Sequence, residues 1–375
     1  MKKVLSILTI LLIIVGISAI GVGATRDNKN EKALVASAKL SREGSSTEEA
    51  RASSLNFYEN LSEKKDVNAL VIGDSIGQSN SASNNDKKWS NLIAKDIKQK
   101  YKSTMITDFI TGDSTTGVRA WVELNNTKST KQYDIAFICF GQKDQWNIKA
   151  EQFGLFYESI IIKLKKTNPN IEIIPIIESS FKEYNGYSSV IKDLSNHYNL
   201  QYADTIKAFV SSGETYENLT TDIEIPNDKG YSQYATTIEK VIYANYKAKK
   251  KTNMKYSGFY KDTSKLNKFV FNKSPDSNTG FDLNDDMVSN KTADTLTFNT
   301  TSSVAIIHFL RKPSGGKFKV FIDDKFECEV DTKSKLEVSY SNLIADDLEG
   351  SHKIKIETSS INEEETVKIL GLATN

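Results

Sequence analysis

Asn68-Ala69-Leu70-Val71-Ile72-Gly73-Asp74-Ser75-Ile76-Gly77 sets an apolar run of strand length directly against a turn with a serine at its apex. A hydroxyl at the carboxyl end of a central strand sits where open α/β sheets bind ligands, and backbone N–H groups of such a turn can receive a developing oxyanion. Outward from this stretch, apolar runs alternate with amphipathic ones. Strands are expected at Ala69–Ile72, Met105–Ile110, Asp134–Phe140, Ile171–Ile177 and Gln201–Ala203. Between them Trp89-Leu92-Ile93-Ile97, Phe153-Phe156-Tyr157-Ile160-Ile161-Leu164, Val190-Ile191-Leu194 and Tyr231-Tyr234-Ala235-Ile238 recur at helical spacing. The pattern predicts a three-layer α/β domain with a mainly parallel sheet over residues 57–252, ending in the solvated run Lys247-Ala248-Lys249-Lys250-Lys251.

Beyond Tyr256 short alternating segments separated by Asn, Asp, Ser and Gly take over, at Thr295–Asn299, Val304–Leu310, Lys317–Ile322, Glu327–Val330, His352–Glu357 and Val367–Leu370. Regular short strands with turn signals predict an antiparallel β-sandwich over residues 256–375. Its strands and turns resemble jelly-roll modules that accompany glycan-active enzymes, which implies a carbohydrate-binding role.

The 375 residues carry 49 Lys+Arg against 48 Asp+Glu, so no electrostatic footprint for nucleic acid exists. Behind Lys2 and Lys3 the chain is uncharged from Val4 to Ala24. Residues 1–24 therefore read as an export signal, either cleaved after the small residues Val22-Gly23-Ala24 or retained as the protein's only membrane anchor. Everything after Thr25 is expected outside the cell, secreted or on the membrane's outer face, with a polar linker over residues 25–56. Sparse cysteine with abundant Lys, Asn and Ile suits a Gram-positive bacterium. Cys139 and Cys328 are too few for a disulfide framework.

Four blocks in order, Gly73-Asp74-Ser75, Gly112-Asp113-Ser114, Gly141-Gln142-Lys143-Asp144 and Asp222-Ile223-Glu224-Ile225-Pro226, make residues 66–246 resemble the SGNH (GDSL-type) hydrolases. The resemblance implies a flavodoxin-like fold and an esterase or acyl transferase acting on O-acyl groups of a cell-envelope or extracellular polysaccharide. It assigns Ser75 as nucleophile, the Ser75 and Gly112 backbone N–H groups as oxyanion donors, and Asp222 as the acid of the last block. Asp74, Gln142, Asp144 and Trp146 are expected around the substrate, with Trp121 also flanking the cleft. No cofactor or metal is implied; Asp285-Asp286 and Asp323-Asp324 lack the spaced oxygen ligands of a calcium loop and read as turns.

The chain departs from the family pattern twice. Lys143 stands where an asparagine normally completes the oxyanion hole, and Ile225 stands where a histidine normally takes the serine proton. The three histidines, His197, His308 and His352, fall elsewhere in the sequence. A general base is worth about 100- to 10,000-fold, so two routes to activity stay open: Lys143 as a base or oxyanion partner, or Asp222 or Glu224 acting on the serine or a water. The alternative is a catalytically silent relative that binds glycan.

Overall fold

The computed structural model describes residues 55–112, 115–127, 131–222, 224–252 and 257–375, which lie in one compact unit, Ala52–Asn375. The expected export segment, and the linker up to residue 54, lie outside the described residues. Among the described residues no helix is long and apolar enough to cross a membrane.

Five parallel strands, β1 (Val67–Gly73), β2 (Met105–Thr111), β3 (Ile135–Cys139), β4 (Glu172–Ile177) and β5 (Ala203–Asp204), pair in the order β2-β1-β3-β4-β5. The helices are α1 (Phe57–Ser62), α2 (Trp89–Tyr101), α3 (Gly117–Asn126), α4 (Ala150–Thr167), α5 (Gly186–His197), α6 (Thr205–Ser211), α7 (Tyr216–Leu219) and α8 (Asp228–Lys247). Alternation along β1 sends Leu70 and Ile72 into a core shared with α3, α4 and α5, and Val67, Ala69 and Val71 into a second core shared with α2 and α8. A sheet buried on both faces needs continuous apolar runs, which is why these strands were legible.

The C-terminal half is an antiparallel two-sheet sandwich. One sheet orders β13 (Val338–Ala345), β10 (Ala305–Arg311), β15 (Val367–Thr374) and β6 (Val270–Asn272), with β8 (Met287–Ser289) also on β15. The other orders β12 (Lys325–Asp331), β11 (Lys317–Ile322), β14 (His352–Ser360), β9 (Thr295–Thr300) and β7 (Ser277–Thr279). Asp323 and Asp324 form the β11–β12 turn with φ of 50° and 63°, a conformation Asp tolerates.

Strand β10 is buried on two sides. Ala305, Ile307 and Phe309 face the sandwich core, whereas Ile306, together with Val304 and Ala373, joins the core of α3 and α4. The ring of Phe269 meets that of Trp121 edge-on at 5.1 Å across the same junction. The Glu158 carboxylate of α4 binds the connecting segment through Phe259 N–H, Tyr260 N–H and the Thr263 hydroxyl, and accepts from Tyr198, just past α5, as well.

Candidate active site

Ser75 follows β1 by two residues, and the path of the chain there depends on Gly73. A side chain at position 73 would overlap the Cys139 carbonyl oxygen of β3, so only glycine lets the serine turn cross the end of the neighbouring strand. Asp74 donates its N–H to that same carbonyl at 3.1 Å, and its Oδ1 accepts from Ile76 N–H (2.8 Å) and Gly77 N–H (3.4 Å). The turn is thus organised by its own aspartate. Ser75 is 7% exposed, and neither its N–H nor its hydroxyl has a hydrogen-bond partner among the described residues. An uncommitted N–H beside an uncommitted hydroxyl is what an oxyanion donor and a nucleophile require.

Beneath the turn lie three buried acids. Asp74 is pushed up to about 6 by burial, opposed by the Ile76 and Gly77 N–H groups and by the charge of Lys143. Glu178, just past β4, is held well above the usual carboxylate range by burial and by Asp74, and its Oε2 accepts from Gln142 N–H at 3.0 Å. Asp144 is also raised well above that range by burial, and its Oδ1 accepts from Gly117 N–H at 2.8 Å at the start of α3. Asp74 and Asp144, expected around the substrate, are both 0% exposed, and each accepts from backbone N–H groups. Glu178 was missed in the sequence, where an acid directly after the apolar run Ile171–Ile177 was the available signal.

Gly112 ends near the serine turn, but its N–H is directed at Gly73 O at 3.4 Å. The Arg119 guanidinium packs against its Cα face, so that a Cβ there would lie 2.9 Å from Nη1. Arg119 Nε binds Glu123 at 2.6 Å, and Glu123 accepts from Ser339 Oγ of β13 at 3.1 Å. The sandwich therefore buttresses the Gly112 segment through three side chains.

Lys143 makes no hydrogen bond to Ser75; its ammonium sits 5.1 Å from the Trp146 ring centroid. Trp146 is 60% exposed, whereas Trp121, expected at the cleft, is fully buried with its Nε1 on Ser159 Oγ at 3.0 Å. Beside Trp146, Asn147 accepts from the Tyr340 hydroxyl of β13 at 2.8 Å. The third block and the sandwich thus meet at an exposed aromatic surface.

The last block forms a tight loop before α8. Thr221 N–H bonds Ile225 O at 2.9 Å, and Asp222 Oδ1 accepts from Ile225 N–H (2.8 Å) and Glu224 N–H (3.3 Å). Asp222, expected as the acid of this block, is exposed, and its Oδ1 shapes its own loop. Ile225 packs into the core of α2 and α8, together with Ala82. Its neighbour Glu224 accepts from Gln142 Nε2 at 2.7 Å, which leaves Gln142, 2% exposed, holding the loop instead of lining a substrate.

No histidine replaces the missing one. His197 binds Ser257 O, His352 binds Asp323, and His308 binds Ser341 Oγ at 2.8 Å, its pKa lowered to about 4 mainly by burial. Among the described residues no group of three or more His, Cys, Asp and Glu side chains is arranged to hold a metal ion.

The family described as GDSL-like lipase/acylhydrolase matches residues 71–233. The crystal structure of a two-domain esterase active on acetylated mannans superposes with a TM-score of 0.72 at 14% identity, covering 84% of this chain and 92% of that one. The same kind of esterase co-crystallised with mannopentaose gives 0.71 at 14% identity, covering 84% and 93%. A member of the lipolytic G-D-S-L family from Veillonella parvula covers 46% of this chain and 97% of its own, at 13% identity and a TM-score of 0.37. No curated protein matches the chain in sequence.

Proposed function

Since residues 71–233 match the GDSL-like lipase/acylhydrolase family, we propose that this protein is an exported carbohydrate esterase or acyl transferase. Its substrates are O-acyl groups of a cell-envelope or extracellular polysaccharide, and Ser75 is the nucleophile. The observation that carries this reading is Ser75 itself, held at the end of β1 with its N–H and hydroxyl both uncommitted. Support for a glycan comes from the exposed Trp146 beside the sandwich, since a flat aromatic face stacks on a sugar ring. The similar two-domain esterase acts on acetylated mannans, which makes acetylated mannan the first substrate to try.

A second reading, glycan binding without turnover, is favoured by Ile225 and by the lack of any hydrogen-bonded base on Ser75. Acetate release from acetylated mannan and from p-nitrophenyl acetate by the purified protein, beside Ser75→Ala, separates the two. Turnover abolished by Ser75→Ala supports the esterase; mannan binding with no acetate released supports the silent relative; turnover that survives Ser75→Ala defeats the serine mechanism.

A further inference from the structure

Two reactive groups carry an oxygen without a partner among the described residues. One is the Ser75 hydroxyl; the other is Oε1 of Glu224, whose Oε2 alone is bonded, to Gln142 Nε2 at 2.7 Å. A continuous set of contacts links them: Asp74, adjacent to Ser75, donates its N–H to Cys139 O at 3.1 Å; Cys139 Sγ lies 3.7 Å from Glu178 Oε1; Glu178 accepts from Gln142 N–H at 3.0 Å; Gln142 then holds Glu224. On the opposite flank Ser83, in the loop that follows Ser75, binds Asp228 at the start of α8 through its N–H (2.8 Å) and hydroxyl (2.6 Å). The loop bearing Glu224 is therefore tied to the serine's own surroundings from two sides. Ile225, next to Glu224, packs half-buried against the core of α2 and α8 and has no group that can carry a proton.

We propose that Glu224 is the general base of this site, in place of the histidine that Ile225 displaces; the proposal rests on the esterase reading above. A nucleophile, a base and a third group that orients the base form the usual requirement for an activated serine. Here Gln142 is the orienting group, fixing one carboxylate oxygen and leaving the other for the proton. Glu224 takes the proton of Ser75 Oγ as Oγ bonds to the ester carbonyl carbon, and the oxyanion forms at the Ser75 N–H. Collapse breaks the carbon–oxygen bond to the sugar, and Glu224 returns the proton to the sugar oxygen. A water then attacks the acyl-serine, giving its proton to Glu224. Cleavage of the acyl–Oγ bond releases the carboxylic acid, and that proton restores the Ser75 hydroxyl.

Glu224→Gln is the decisive variant because a glutamine oxygen still accepts from Gln142 but cannot carry the proton. Full-length wild type, Glu224→Gln, Glu224→Asp and Ile225→His are compared for acetate release from acetylated mannan and for mannan binding. The expected result is a loss of kcat by about 100-fold or more in Glu224→Gln, a smaller loss in Glu224→Asp, binding unchanged within about twofold, and turnover restored when Ile225→His is added to Glu224→Gln. Glu224→Gln with wild-type kcat overturns the proposal. A silent wild type with an active Ile225→His also overturns it while leaving the esterase site intact, and silence in both removes the esterase reading itself.

Discussion

Asp74 and Glu178 converge on Cys139 at the end of β3: Asp74 donates its N–H to the Cys139 carbonyl at 3.1 Å, Cys139 Sγ lies 3.7 Å from Glu178 Oε1, and both carboxyls are 0% exposed. Such a pair is at ease with one proton and not with two charges. Both groups are raised in the fold above their unfolded values of about 3.9 and 4.3. The folded state therefore binds more protons, and the stabilisation is fully present below about pH 4 and lost as pH rises through 6. Glu178→Gln removes one of the two coupled charges. Thermal melts from pH 4.5 to 8 are expected to show wild type losing ground to Glu178→Gln as pH rises; a pH-independent gap would refute the coupling.

Gly73→Ala tests the close crossing of β1 and β3. The added methyl overlaps the Cys139 carbonyl, a backbone atom that cannot rotate away. Overpacking of this kind costs about 1–3 kcal/mol, and the serine turn moves with the strand. Urea unfolding is expected to show a lowered midpoint, and a midpoint equal to wild type would contradict the packing described.

Glu158→Ala strips the connecting segment of its acceptor. Phe259 N–H, Tyr260 N–H, Thr263 and Tyr198 all lose their partner. Of these, Tyr198 and Thr263 are buried, and an unpaired buried group costs about 1–3 kcal/mol, so a total loss of at least about 2 kcal/mol is expected in denaturant titration. Glu158→Gln, which keeps one acceptor oxygen, should lose clearly less.

Trp146→Ala separates binding from stability. At 60% exposure the ring contributes little to the fold, and melting should shift by no more than about 0.5 kcal/mol equivalent. Mannan affinity is expected to fall about three- to tenfold, the worth of about 0.5–1.5 kcal/mol for an aromatic contact. Unchanged affinity in a pull-down or calorimetric titration would move the glycan off this surface.

The parallel sheet was readable because burial on both faces forces unbroken apolar runs, and the serine turn because Gly73 and Ser75 sit at its end. Strand β13 was not. Its sequence Val338-Ser339-Tyr340-Ser341-Asn342 alternates polar residues that face the α/β half, where Ser339 and Tyr340 hydrogen-bond across the junction. The three-residue strands β6, β7 and β8 are too short to carry a period. Trp121 was misread by its nearness to the second block, although Val118, Trp121 and Val122 share one helical face and are all buried. Asp222 kept the family's residue type while its carboxylate took up loop bonds that no sequence pattern announces.

Ile306 and Ala373 belong to the core of the α/β half although they lie on sandwich strands. The sandwich is therefore not a portable appendage of the kind that can be moved from enzyme to enzyme. Cut away at the connecting segment, each half would carry an apolar wound, and the two are expected to be inherited, expressed and lost together.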